Sequence, residues 1–356
     1  MAEETLKTPA DLAREANEAA QKDLTDLREL ASMSSLADSI ADLDTLLAHL
    51  GGDIAELRTQ GYVFKSYLEK KTAVLTDQWR EAKPAAQSNM QAVSYDLCRE
   101  VDALDAEFRN IQGWLTTNPA WACEQLETFK RAVDLAASKA RNEQSKIRAL
   151  FENTAQNAGQ TKSQAQDARN CLQTVAEASF KLYPNEDPVA AVKAQWLQDG
   201  KNGPKGILYV TDARLLFEQR EDVAKEKVLF ITTKKERVQK LLIDVPIGAA
   251  EKTTESESGA LLWHKELLDI SFAEGQRVRR AQFKLEEDSA TWAALLNRVV
   301  SGDIDKERVT PKAMPATPAK PAPTKCSTCS ANLDTPILKG MQSIKCPYCG
   351  TVMPLS

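Results

Sequence analysis

The sequence predicts a multidomain α + β protein: an elongated antiparallel helical bundle or coiled coil, then a β-barrel closed by a C-terminal helix, then a small metal-knuckle module. Three observations carry this. About 180 residues repeat apolar side chains at helical spacing. After Gly206 come strand-length runs rich in β-branched, aromatic and leucine residues. Four of the seven cysteines fall in the last thirty-one residues as two C-x2-C pairs. The implied boundaries are 1–188 for helices, 189–301 for the β-domain, 302–325 for a linker and 326–356 for the cysteine module.

Thr8-Pro9 caps a first helix predicted to run to Leu50, where Gly51-Gly52 stops it. Its seam Leu36, Ile40, Leu43, Leu47, Leu50 is spaced 4-3-4-3 and asks for partner helices. A second stripe, Ile54, Leu57, Phe64, Leu68, Leu75 and Trp79, reaches Pro84, which ends or only kinks it. A third carries Leu97, Val101, Leu104 and Phe108, and Asn118-Pro119 caps a fourth with Leu126, Phe129 and Val133. Many core positions are alanine. The thin seam therefore predicts a homo-oligomer through the helical region. Cys98, Cys123 and Cys171, scattered over helices, read as buried thiols.

GILYVT and ARLLFEQ form a hairpin about Thr211-Asp212. Further strands are expected in VLFIT (228–232), LLIDVPI (241–247), GALLWHKELLDISF (259–272) and RAQFKLE (280–286). Asp288-Ser289 caps a last helix, with Trp292, Leu295, Leu296 and Val299 on one face. From GILYVTDARLLF, IDVPIGAAEKT and FKLEEDSATWAALL this region resembles the GRAM branch of the pleckstrin-homology (PH) superfold. Two departures stand out: the long charged connection Asp222 to Lys240, and Ala250 where the family usually has isoleucine. The resemblance implies a docking domain for a protein or for acidic lipid headgroups. Its lipid candidates are Lys201 and Lys205 in the first connection, with Lys225, Lys227, Lys234 and Lys235 in the next; the bland alternative is a solvated basic face offset by Glu221, Asp222 and Glu226.

Cys326-x2-Cys329 and Cys346-x2-Cys349-Gly, sixteen residues apart, offer four thiolates to a tetrahedral ion. The pattern looks like a zinc ribbon with structural Zn2+; iron in a rubredoxin-like site is the competing reading. A closed four-thiolate set leaves no open position for catalysis. His49 and His264 lack the company a nucleophile needs, and Gly200, Gly203 and Gly206 lead into a strand and not a helix, so no enzyme is expected. The proline-rich stretch before the cysteines reads as an extended spacer.

Charge is uneven. Residues 1–189 hold 21 Lys and Arg against 30 Asp and Glu, whereas 308–356 hold 6 against 1. The acidic helical half argues against nucleic acid there. Without a long apolar run or a signal-like N-terminus, the chain is expected in the cytoplasm, with the inner face of the membrane as a peripheral alternative. The sequence thus predicts a non-enzymatic scaffold or adaptor with protein partners; the alternative is a nucleic-acid-associated factor using the basic tail and ribbon.

Overall fold

The computed structural model describes residues 8–198, 201–228, 231–258, 265–310, 323–333 and 336–355. Its helices are α1 (Pro9–Ser32), α2 (Ser34–Thr59), α3 (Tyr67–Gln112), α4 (Pro119–Ala149), α5 (Glu152–Ala176) and α6 (Ser289–Ser301). The strands are β1 (Pro188–Gln198), β2 (Lys201–Thr211), β3 (Arg214–Val228), β4 (Ile231–Pro246), β5 (Ala250–Ser258), β6 (Lys265–Phe272), β7 (Arg280–Leu285), β8 (Ser343–Lys345) and β9 (Val352–Pro354). They form two compact units: Met1–Gly52 with Lys70–Lys162, and Asp53–Glu69 with Ser163–Ser356.

In the helical unit α1 opens with a capping box, Thr8 and Asp11 each satisfying the other's backbone amide. The predicted unbroken run to Leu50 is corrected at Met33, which takes a left-handed conformation (φ 58°) and divides α1 from α2. The predicted stop at Gly51-Gly52 is absent. Both glycines sit within α2, and a Cβ at either would meet nothing within 4 Å, so no contact demands glycine. Their propensity cost of about 1 kcal/mol each is outweighed because Leu47, Leu50, Ile54 and Leu57, on both sides of the pair, are all buried. Pro84 lies inside α3, which does not end there, and the polar stretch after Asn153 is helical as part of α5. Asn118 caps α4 as expected.

Leu36, Ile40, Leu43, Leu47 and Leu50 are all buried within one chain. The apolar argument for a second subunit on this stripe therefore falls away. Phe108 stacks on Phe129 with ring centroids 5.2 Å apart, supplying bulk where alanines are many. The reading of three buried helical thiols is also corrected: Cys98 is exposed and Cys123 half-buried, and only Cys171 is buried. Leu97 takes the buried position that its neighbour Cys98 would need.

The second unit is built on a seven-stranded antiparallel sheet in the order β4-β3-β2-β1-β7-β6-β5. Buried side chains from all seven strands, among them Val192, Leu208, Phe217, Ile243, Ala250, Ile270 and Phe283, meet in one core, so the sheet must curl around it. The C-terminal helix α6 closes that core with Trp292, Leu296 and Val299. A meander of seven strands closed by one C-terminal helix is the PH-like arrangement expected of this region.

The Thr211-Asp212 hairpin turn forms where predicted. VLFIT does not form a strand of its own: Val228 ends β3 and Ile231 begins β4, as opposing residues at the end of a long ribbon. The same pairing absorbs the charged stretch 222–240, with Asp222 opposite Arg237 and Glu226 opposite Lys234. β1 and β5 lay outside the expected strands, β5 because AEKTTESES has little apolar alternation. Trp263 and His264 lie outside the described residues.

A segment from between α2 and α3 completes this core. Leu57, Tyr62 and Phe64 are buried in the same cluster as the strands, and the Tyr62 hydroxyl donates to the Val189 carbonyl at 2.9 Å. Gly61 (φ 95°) turns the chain into this loop. Val309 N donates to Val63 O and Ser66 N to Glu307 O, each at 2.8 Å.

At this same end of the core the β2–β3 turn is held by charge, with Arg308 binding Asp212 and lying over Phe64. Thr211 Oγ accepts from the Ala213 and Arg214 amides and donates to Glu186 at 2.6 Å. Arg214 grips Glu186 through Nε and Nη2 at 2.9 and 2.8 Å, lies 3.8 Å over the Tyr183 ring, and is 4% exposed. Replacing Arg214 with Met should leave Glu186 buried without its partner and destabilise the protein by roughly 3–5 kcal/mol, measured as the loss in urea unfolding free energy. A loss under about 1 kcal/mol would mean the ion pair is not what secures the turn.

Candidate metal centre and basic end of the sheet

The four tail cysteines converge as their spacing predicted. Their sulfurs all lie within 4.8 Å of one another, with Cys326 to Cys349 at 3.5 Å and Cys329 to Cys346 at 3.6 Å. A tetrahedral ion with sulfur bonds of about 2.3 Å would set its sulfurs about 3.8 Å apart, so the donor set fits such an ion. Both knuckles have one backbone plan. Cys326 N donates to Ala331 O and Cys346 N to Thr351 O, each at 2.8 Å; Ser330 N donates to Cys326 O and Gly350 N to Cys346 O, each at 3.0 Å. Ser330 and Gly350 hold matching positive φ values of 56° and 76°. Glycine was legible as the turn residue in the second knuckle, whereas the first uses serine. Amides of Cys329 and Thr328 hold the Cys326 thiol below its usual range and Thr351 draws Cys349 down to about 6, whereas, against the lowering pull of the Ala331 amide, the Cys349 sulfur and burial push Cys329 up to about 12.

The module is docked, which corrects the expectation of a tail held away on a spacer. Gly248 N donates to Lys339 O at 3.0 Å, and Lys339 Nζ caps the Val299 carbonyl at the end of α6 at 2.7 Å. Gly340 has φ 90°, and a Cβ there would stand 1.9 Å from the Ala213 carbonyl oxygen. The chain before the cysteines is also fixed at its start. Arg308 is 4% exposed, binds Asp187, Asp212 and Asp305, and lies 4.5 Å over Phe64. The prolines of 311–322 lie outside the described residues.

The lysine candidates separate into two groups. Lys201 and Lys205 lie on β2, opposite Gln198 and Gln195 of β1. Lys225, Lys227, Lys234 and Lys235 lie on the part of the β3–β4 ribbon beyond the last β2 partner, Gln219. The side chains of these four and of Lys201 lie outside the described residues, whereas Lys205 is exposed. The meander puts the β1–β2, β3–β4 and β6–β7 connections at one end of the sheet. That brings in Arg277 and Arg279, both exposed on the β6–β7 connection, which sequence reasoning missed. They are 72 residues or more beyond Lys205, and only the sheet order joins them. Arg280 is instead occupied by a bidentate pair with Asp269.

Behind these strands the outward face carries a second buried polar cluster. Glu218 is fully buried; burial alone would raise its pKa, but hydrogen bonds from the Ser179 amide, Gln239 and Tyr209 bring it below the usual carboxylate value. Arg220 and the Glu177 carbonyl extend this network to the C-terminal end of α5.

No protein-family model matches the chain, and no curated protein matches it. Among solved structures it is similar to the N-terminal PH domain of Vps36, at 11% identity and TM-score 0.24 over 35% of this chain and 85% of that one. It is also similar to the linker-DH/PH domains of p115-RhoGEF, at 12% identity and TM-score 0.23 over 81% of this chain and 98% of that one. A third similarity is to the DH/PH fragment of PDZ-RhoGEF in its complex with human RhoA, at 10% identity and TM-score 0.27 over 83% and 96%. The PH-like arrangement rests on the strand order and the closing helix.

The glycine contact gives a direct test of docking. Gly340→Ala should displace the 336–341 loop from the sheet and make the bond after Lys339 cleavable by trypsin under native conditions, while the wild type resists. Equal resistance of both proteins would show that the loop does not need this contact.

Proposed function

We propose that this protein is a non-enzymatic scaffold or adaptor. Its GRAM-type PH-like unit docks on an anionic membrane face or an acidic protein surface, and its ribbon, ordered by a structural zinc ion, recruits a protein partner. The observation that carries the docking reading is the gathering of basic residues from separate connections, Lys201, Lys205, Arg277 and Arg279, at one end of the sheet. The ribbon reading is supported by Tyr348 and Val352, 73% and 61% exposed beside the second knuckle. No helix among the described residues is long and apolar enough to cross a membrane, so docking would be peripheral.

Docking is tested by sedimenting the full chain with phosphatidylcholine vesicles with and without phosphatidylserine. Only the anionic vesicles should carry it down, and Lys201→Glu and Arg277→Glu should each weaken partition by roughly fivefold, about 1 kcal/mol. Equal sedimentation of wild type and variants would remove this end as the contact.

For the ribbon, freshly purified reduced protein should contain one zinc per chain by elemental analysis. Cys346→Ser should lose the metal and unfold residues 326–355 while the far-UV circular dichroism of the helices persists. A full complement of iron in place of zinc, or no metal at all, would overturn the assignment.

A further inference from the structure

The end of the helical unit where α3 turns into α4 carries an exposed surface that neither the sheet end nor the ribbon accounts for. From Asn110 to Cys123 no side chain is charged, in a chain of which 27% is. Within this stretch Trp114 and Trp121 meet with ring centroids 5.6 Å apart and planes at 65°, yet they remain 48% and 37% exposed. Leu12 of α1 is exposed at the same end, since Gln112 donates to Asn17 across the two helices at 3.1 Å. One capping residue fixes the backbone of both tryptophans. Asn118 N donates to Trp114 O at 2.8 Å, and Asn118 Oδ1 accepts from Trp121 N at 3.4 Å.

What such a surface recognises follows from its hydrogen-bonding inventory. Tryptophan donates through its indole N–H and accepts nothing. Neither the Trp114 nor the Trp121 indole has a protein acceptor among the described residues, whereas Trp79 donates to Asp44 and Trp292 to Glu287. A suitable ligand offers acceptors and apolar rings and brings few donors of its own. A helix spends its carbonyls internally, and an ordinary extended strand brings an N–H with every C=O. A proline-rich segment avoids both handicaps: its prolines lack N–H, its carbonyls are unpaired, and it is ordered as polyproline II before it binds.

Charge narrows the choice further. Arg14 pairs with Asp11 and Arg109 with Asp105. Glu124, one turn on from Trp121, and Glu107 on the last turns of α3 have no cation partner among the described residues. The next cations along α4, Lys130 and Arg131, lie more than two turns beyond Trp121. The uncompensated charge bordering the tryptophans is therefore negative. It repels a second copy of the same surface and an anionic membrane alike, and it attracts a basic ligand.

We infer that the Trp114–Trp121 end binds a proline-rich segment of a partner protein that carries lysine or arginine beside its prolines. Pyrrolidine rings lie on the indoles, peptide carbonyls accept the indole N–H groups, and the basic side chains face Glu107 and Glu124.

The test uses the full chain and a fluorescein-labelled peptide of proline triplets separated by lysines, read by fluorescence anisotropy. Saturable binding is expected, weakened roughly tenfold by Trp114→Ala and by Trp121→Ala. Trp121→Phe, which keeps a ring but removes the donor, should fall between these and the wild type, and Glu124→Gln should weaken the lysine-bearing peptide but not a lysine-free one. These two variants keep the test readable if an alanine perturbs the turn, which helical circular dichroism would reveal. No saturable binding, equal binding of a peptide with alanine in place of proline, or unchanged affinity in all the tryptophan variants overturns the inference. Self-association or capture by phosphatidylcholine vesicles, lost in Trp121→Ala and unaccompanied by peptide binding, would overturn it in favour of a second copy or of lipid. Failure here leaves the sheet-end and ribbon readings standing, because neither uses a residue of the helical unit.

Discussion

The sheet unit depends on two buried arginines. Arg214 and Arg308 are each 4% exposed, and between them they hold Glu186, Asp187, Asp212 and Asp305. These acids come from three places: the segment after α5, the β2–β3 turn and the turn after α6. A hydrophobic core does not discriminate between many near-equivalent ways of bringing such segments together, whereas paired charges with little water tolerate few. Asp187 and Asp212 also receive each other's backbone amides, the Asp212 amide donating to Asp187 O at 3.1 Å and the Asp187 amide to the Asp212 carboxylate oxygen Oδ1 at 2.9 Å. The hairpin about Thr211-Asp212 is thereby tied at once to the chain that enters the sheet and to the chain that leaves it.

Much of the fold was legible because it rests on local signals. Thr8-Pro9 and Asn118-Pro119 cap helices, Asp288 caps α6, and the alternation in GILYVT and ARLLFEQ marks β2 and β3. The failures follow from tertiary preference over local rule. Gly51-Gly52 reads as a stop until burial of the stripe on both sides is counted, and Phe64 reads as one more helical stripe residue although it belongs to a loop that fills the core of the sheet. β5 could not be seen because its polar, glutamate-rich sequence is held by pairing with β6 and offers little apolar pattern of its own.

The candidate sites divide the same way. Four cysteines at knuckle spacing declare their convergence, since the ligands are close in sequence within each pair. Basic residues do not: Arg277 joins Lys201, 76 positions earlier in the chain, only through the order of the sheet. The docking of the ribbon was hidden for a third reason. It depends on the absence of side chains at Gly248 and Gly340, which pattern-reading of apolar and charged residues does not weigh.

The loop carrying Tyr62 and Phe64 has a consequence for the order of events during synthesis. It leaves the ribosome more than a hundred residues before β1, and its backbone partner Val309 appears only after α6 is complete. The sheet unit therefore cannot close while the chain is still growing through its strands. Two aromatic side chains meant for its interior wait uncovered through most of translation, and long-range closure of this kind is slow and prone to wrong encounters. A chain released early, before Val309, would carry a complete set of seven strands and still lack one side of its seal.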